Sequence, residues 1–301
     1  MAGTRARCAR GWQKNDVAIA FQLLGTKVSG RASLALEPTV DRRLSAPCSA
    51  TPTMISGPWN RPPQTLSLSA NEVHIWRATL DVDGVELRAL ATVLSPDEQA
   101  RASRFHFEKH RQYFVAARGV LRAILARYLQ RDPGRLRFCY NASGKPALTS
   151  EGEAKTIRFN LSHSGGLALY AIACNREVGI DLENIRPGIA WADLANRFFS
   201  PGEVLSLGAL PAQLQIEAFF NCWTRKEAYI KALGQGLQVP LDSFEVSLDP
   251  REPAALLRGT DGRWSIRALQ PASDYVAAVA ADGHDWSLRL WHWQGAGQGA
   301  E

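Results

Sequence analysis

Three carboxylates and a lysine, spread over two short segments, supply the residue types from which phosphate chemistry can be built. Val178-Gly179-Ile180-Asp181-Leu182-Glu183 reads as a short apolar strand carrying two acids. Side chains at i and i+2 of a strand share a face, so Asp181 and Glu183 point the same way. Trp223-Thr224-Arg225-Lys226-Glu227-Ala228-Tyr229-Ile230-Lys231 reads as a helix, with Glu227 and Lys231 one turn apart on one side. A fold that joins the two segments sets Asp181, Glu183 and Glu227 beside Lys231. Hard divalent cations favour such oxygen ligands, and Mg²⁺ commonly takes one or two carboxylates plus substrate phosphates. Each segment alone also fits a plainer role, as a solvated acidic face or a surface Glu–Lys pair. Their joint occurrence, with 41 positions between Asp181 and Trp223, points to metal-assisted chemistry on a phosphate or pyrophosphate.

The elements that must position these residues alternate between strand and helix signals. Val73-His74-Ile75-Trp76 reads as a strand. Ser95-Pro96-Asp97-Glu98 is a helix start, with Ser as N-cap, Pro at the first helical position and Glu three residues after the cap. A helix through Arg104 is expected, then a longer one across Tyr113–Leu129, ended by Asp132-Pro133-Gly134. Strands follow near 136–140, 156–161 and 168–174. After the acidic strand the grammar repeats: Ser200-Pro201-Gly202-Glu203 is a second S-P-x-E helix start, 105 residues after the first. A long helix over 214–233 stops at Gly234, and strands are expected near 244–248, 264–268, 275–280 and 287–293. The repeat suggests an internal duplication and an α+β chain.

With 301 residues, 46% of them hydrophobic, the chain can bury a large core. No apolar run approaches the roughly 20 residues that span a bilayer, so no membrane partner is expected. Five cysteines (Cys8, Cys48, Cys139, Cys174, Cys222) without C-x-x-C spacing suggest neither zinc nor a disulfide framework, and a cytoplasmic setting is expected. The net charge of +6 is concentrated at the start. Residues 1–53 hold eight basic side chains against three acids, leaving 27 against 26 for the rest. A nearly neutral body argues against nucleic acid as partner, because duplex binding needs clustered phosphate neutralisation. The basic leader fits a disordered tail, a transit peptide, or translation from too early a start. The last is preferred, since the only two methionines are Met1 and Met54 and organised sequence begins soon after the second. The expected division is a leader over 1–68, halves over 69–175 and 176–293, and a tail over 294–301.

The two segments together resemble the signature of the 4′-phosphopantetheinyl transferases: Val178-Gly179-Ile180-Asp181, then Trp223-Thr224-x-Lys226-Glu227-Ala228-x-x-Lys231. Phe159-Asn160-Leu161-Ser162-His163-Ser164-Gly165, Gly144-Lys145-Pro146 and Arg197-Phe198-Phe199-Ser200 are similar to further segments of that family. The resemblance covers about residues 70–250 and is closest to the long, monomeric, surfactin-type (Sfp-type) branch. It implies two similar α/β halves related by a pseudo-twofold, with coenzyme A in the cleft between them. It implies Mg²⁺-dependent transfer of the phosphopantetheine arm of coenzyme A to a serine of an acyl or peptidyl carrier protein, with release of 3′,5′-ADP. Asp181, Glu183 and Glu227 are then the metal ligands, and Lys231 reaches the pyrophosphate. Ser162 and His163 are implied at the 3′-phosphate, Lys145 at a phosphate and Arg101 near the nucleotide, although the position three residues earlier, sometimes basic in relatives, is Glu98 here. Glu203 stands open between general base and capping partner of Ser200. Trp223 is expected in the core, and Lys226 facing solvent or securing its helix. A non-catalytic module that binds coenzyme A or a carrier protein is the competing reading.

Overall fold

The computed structural model describes residues 57–149 and 156–295. The leader expected over 1–53, with Met54, and the tail beyond 295 lie outside the described residues. In chain order the elements are β1 (Glu72–Thr79), α1 (Gly84–Thr92), α2 (Pro96–Ala102), α3 (Glu108–Leu129), β2 (Phe138–Tyr140), β3 (Pro146–Leu148), β4 (Ile157–Ser164), β5 (Leu167–Cys174) and β6 (Val178–Asn184). They continue with α4 (Trp191–Phe198), α5 (Pro201–Ala209), α6 (Ala212–Leu233), β7 (Glu245–Val246), β8 (Leu256–Arg258), β9 (Trp264–Leu269), β10 (Tyr275–Asp282) and β11 (Ser287–His292). The chain is α+β. None of the described helices is long and apolar enough to cross a membrane.

Two sheets carry the architecture, one ordered β11-β1-β5-β4 and the other β6-β10-β9. Their inner faces meet through Val73, Ile75, Leu169 and Ala171 of the first sheet and Ile180, Leu182, Ala277 and Val279 of the second. The long helix α3 covers the outer face of the first sheet, packing Val120, Leu121 and Ile124 against Trp76, Tyr170 and Ile172. Helix α6 covers the second in the same way, with Phe219, Phe220, Trp223 and Ile230 against Ala278 and Ala280. β5 is buried almost along its whole length because both of its faces are covered, and it reads as a continuous apolar run for that reason.

The two halves repeat one order of elements. Strand, short S-P-x-E helix, long helix and two further strands occur as β1, α2, α3, β4, β5 and again as β6, α5, α6, β9, β10. The strand orders β1-β5-β4 and β6-β10-β9 correspond as well.

Two features depart from the expected division of the chain. β11 lies beyond the second half's strands, yet it pairs in parallel with β1 of the first sheet, Glu72 opposite Ser287 through Arg77 opposite His292. The last strand therefore crosses back over the boundary at 175/176. Residues 57–68, expected as part of a disordered leader, hold to the body instead. Asn60 N–H donates to Leu290 O at 3.0 Å and Asn60 O accepts from His292 N at 2.9 Å, while Leu66 and Leu68 pack into the first core. The apolar side chains scattered among the prolines supply that docking, and the Pro- and Ser-rich composition conceals it.

Candidate active site

A glycine sets the closeness of the site's two main elements. On β6, Val178, Ile180 and Leu182 enter the core between the sheets, so alternation turns Gly179, Asp181 and Glu183 toward the other face. There α6 crosses so close to Gly179 that a Cβ would overlap Ala228 O and Ala232 N. Only a residue without a side chain allows this approach. It brings Lys231, which precedes Ala232 on α6, within reach of Asp181.

The Lys231 ammonium donates to Asp181 Oδ1 at 2.6 Å and to Ser162 Oγ at 3.3 Å, and Ser162 Oγ itself donates to Asp181 Oδ1 at 2.9 Å. Asp181 is 4% exposed and Glu183 6%. Ser164 Oγ donates to Glu183 Oε2 at 3.0 Å. Burial, followed by the charge of Asp181, pushes the Glu183 carboxyl up to about 8. Burial opposes the charge on Lys231, but Asp181, Glu227 and Glu183 outweigh it and hold that ammonium above the ordinary lysine value.

The predicted carboxylates are thus neighbours of one cation, the lysine, rather than a closed ligand set. Among the described residues no three His, Cys, Asp or Glu side chains are grouped so as to hold a metal ion. The donor chemistry nevertheless fits a hard divalent cation. Asp181 Oδ2 is buried without a hydrogen-bond partner, and burial disfavours the charged form of Glu183 despite the Ser164 hydroxyl beside it. A bound cation beside them would satisfy both.

Strand β4 frames this cluster from the first sheet. Its polar side chains at period two, Asn160, Ser162 and Ser164, all reach β6: Asn160 Oδ1 accepts from Ile180 N at 2.9 Å, and Ser164 Oγ accepts from Asn184 N at 3.2 Å. Side chains here take the place of a backbone ladder where the two sheets adjoin. Asn160 and Ser164 were not among the expected site residues. The signal for them was the polar alternation within an otherwise apolar strand.

The expected phosphate-binding residues scatter more widely. His163 is partly buried, and burial, then the nearby charges of Lys231 and His110, pull it down to about 4. It therefore stands beside the cluster. Lys145 does not face open space. Its ammonium donates to Glu177 Oε2, Val178 O and Ala232 O at 3.1–3.2 Å, joining the β2–β3 turn to β6 and the end of α6. Burial lowers its pKa. Arg101 lies over the Phe114 ring, 5.2 Å from its centroid, on the first half. Glu227 is partly exposed, and its charge acts on Lys231.

Glu203 is placed apart from the cluster by its own bonds. Its Oε2 accepts from Ser200 N at 2.9 Å and its Oε1 from Val246 N at 2.9 Å. Lys226 completes the set at 2.8 Å. The reciprocal Ser200–Glu203 capping box is present. Lys226, expected at the solvent or securing its helix, is wholly buried and also donates to Leu241 O and Phe244 O, both at 2.6 Å. Solvent is excluded as its environment because three acceptors compensate its charge inside. Trp223 packs in the core, stacked on Phe219 and edge-on to Phe198.

Comparison with known proteins shows the family. Residues 177–280 match the family described as the 4′-phosphopantetheinyl transferase superfamily, and residues 76–175 match 4′-phosphopantetheinyl transferase, N-terminal. The chain is 45% identical over 240 residues to the 4′-phosphopantetheinyl transferase HetI of Nostoc sp., covering 80% of this chain and 100% of that protein. It is 34% identical over 199 residues to a 4′-phosphopantetheinyl transferase of Bacillus subtilis, covering 66% of this chain and 86% of the relative. The 4′-phosphopantetheinyl transferase Sfp of Bacillus subtilis strain 168 is 33% identical over 155 residues, 52% of this chain and 66% of that protein. The chain belongs to the 4′-phosphopantetheinyl transferase superfamily, in its Sfp-type branch.

Proposed function

We propose that this enzyme transfers the 4′-phosphopantetheine arm of coenzyme A to a serine of an apo acyl or peptidyl carrier protein, in a Mg²⁺-dependent reaction that releases 3′,5′-ADP. The observation that carries the reading is the state of Asp181. One oxygen is held by Lys231 and Ser162, and the other is buried without a partner. Asp181, Glu183 and Glu227 would hold Mg²⁺, which when bound neutralises pyrophosphate oxygens.

In the reaction the carrier's serine Oγ forms a bond to the phosphorus that bears the pantetheine arm. The bond from that phosphorus to the bridging oxygen breaks, and the electron pair leaves with 3′,5′-ADP. Phosphoryl transfer of this kind rests on positioning and charge neutralisation. Lys231 supplies a fixed positive charge for the pyrophosphate. Ser162 holds Asp181 in place, and Ser162 and His163 are assigned to the 3′-phosphate. Arg101 is assigned to the nucleotide side. Lys145 would have to leave Glu177 and two carbonyls to reach a phosphate, so we assign it to joining the halves. Glu203, with both oxygens engaged, is assigned to structure, and the hydroxyl proton leaves to solvent.

We place the enzyme in the cytoplasm as a monomer, with carrier proteins and coenzyme A as its partners. The free thiols of Cys139, Cys174 and Cys222 support a reducing compartment. The test is incubation with coenzyme A, Mg²⁺ and several apo carrier proteins, followed by intact mass. A gain of one phosphopantetheine arm on the carrier serine is expected. Coenzyme A binding without any such gain would overturn the assignment.

A further inference from the structure

We propose that Ser164 positions the Glu183 carboxylate and that the Tyr275 hydroxyl, from the other sheet, latches the turn carrying Ser164. This rests on the reading of Glu183 as a metal ligand. Ser164 is the last residue of β4 and is 2% exposed. Its hydroxyl donates to Glu183 Oε2 and accepts from Asn184 N, so it fixes the carboxylate relative to the β6 backbone. A side chain at the end of a hairpin is only as fixed as the turn beside it.

That turn is Gly165-Gly166, with φ of +54° and +86°, the left-handed region that glycine enters without strain. Two bonds hold it, one from each half. Leu80 N donates to Gly166 O at 2.7 Å on the first-half side. Tyr275 OH donates to Gly165 O at 2.7 Å on the second-half side. Tyr275 sits opposite Asn184 in the β6–β10 register, which closes a ring of contacts: Glu183, Ser164, Gly165, Tyr275, Asn184. The turn also leaves no room for side chains. A Cβ at Gly165 would lie 2.6 Å from Tyr275 OH, and one at Gly166 would lie 2.6 Å from Asp81 Oδ2 and 2.9 Å from Tyr113 OH. Tyr113 OH is in turn bonded to Asp81 Oδ1 at 2.8 Å. Ser164 and Tyr275 act through Glu183 and are positioning residues.

Mn²⁺ binding, followed by the loss of the free-ion paramagnetic resonance signal without coenzyme A or carrier, tests this apart from turnover. Outer groups that orient metal ligands are typically worth on the order of 10-fold or more in affinity. Ser164→Ala is expected to weaken Mn²⁺ binding about 10-fold, and Ser164→Thr, which keeps a hydroxyl, to restore most of it. Tyr275→Phe is expected to weaken binding by a smaller factor with its melting temperature unchanged. The double variant should bind no more weakly than Ser164→Ala alone, because both act through one hydroxyl. Wild-type affinity in Tyr275→Phe, alongside weakened binding in Glu183→Gln, would overturn the latch. Wild-type affinity in Glu183→Gln would instead overturn the ligand assignment beneath it. If Ser164→Ala does not fold, Tyr275→Phe decides alone.

Discussion

Glu203 and Lys226 form an ion pair of 2.8 Å deep inside the second half, with side chains 3% and 0% exposed. The first half carries the same device: Glu98 Oε2 caps Ser95 N at 3.0 Å and meets Arg122 Nε at 2.6 Å, with Arg118 on the other oxygen. Arg122 and Lys226 each stand 14 residues beyond the first residue of their long helix (122 − 108 and 226 − 212). An S-P-x-E box therefore does two things in each half. It starts a short helix and pins that helix to a cation of the long one. Glu98 belongs to the first half and none of its bonds reaches the acidic cluster, so the repeated use argues that Glu203 serves structure.

Glu203→Gln separates stability from chemistry. Glutamine can still accept at the cap, but Lys226 then keeps a buried charge without its counterion. Breaking a buried pair on one side destabilises by about 3–5 kcal/mol. We expect a loss of unfolding free energy of that order, seen also as a lower melting temperature and matched by Glu98→Gln, with turnover of the folded fraction within a few-fold of wild type. Glu203→Gln with Lys226→Met should recover much of the stability. Turnover lost in folded Glu203→Gln and kept in Glu98→Gln would return Glu203 to the role of base.

Gly179→Ala should harm the site through the backbone. The added Cβ meets carbonyl and amide atoms of α6, which cannot swing aside as a flexible side chain can. Overpacking of this kind costs about 1–3 kcal/mol, and the shift of α6 would draw Lys231 away from Asp181. We expect denaturant unfolding at lower concentration and a turnover deficit larger than the stability loss explains.

Lys231→Met and Asp181→Asn remove opposite partners of one 2.6 Å contact. Each should lower kcat by about 10²–10³, the scale for a preorganised charge at a transferring group. They should differ in metal dependence. Asp181→Asn should raise the Mg²⁺ concentration needed for half-maximal rate. Lys231→Met should lower it or leave it unchanged, since it removes the competing ammonium. Equal upward shifts in both variants would contradict a shared site for the two cations.

The local signals were legible because each has a short-range cause. The S-P-x-E starts, the stop at Gly234 (φ +69°) and the two-residue period of β6 are all set within a few positions. Helix α1 was missed although Asp83 caps it through Val85 N and Glu86 N, and so was α4, whose last two residues begin the R-F-F-S motif. What the sequence could not convey is long range: β11 returning to β1 across more than 200 residues, and Lys145 turned onto the end of α6. Lys226 shows the limit well. A lysine between Arg225 and Glu227 looks solvated from its neighbours in the chain, and only the acid at position 203 and the carbonyls of Leu241 and Phe244 make its burial tolerable.

His163 gives the chain a pH dependence whose sign is fixed by its surroundings. Its folded pKa is about 4, below the roughly 6.5 of a free histidine. The unfolded chain therefore binds the proton first. Stability from this group is full above about 6.5 and is lost as pH falls toward 4, with a slope of up to one proton. His74 and His292 are also lowered, chiefly by burial, so the difference between wild type and His163→Gln is the quantity to measure. In that difference the acid-side fall in melting temperature should be shallower for the variant. A bound 3′-phosphate reverses the balance, because a dianion beside the ring favours imidazolium. Coenzyme A binding near pH 6 should then take up protons, seen by calorimetry as a binding enthalpy that varies with the buffer's ionisation enthalpy. His163→Gln should abolish most of that dependence. Undiminished uptake in the variant would place the 3′-phosphate away from His163.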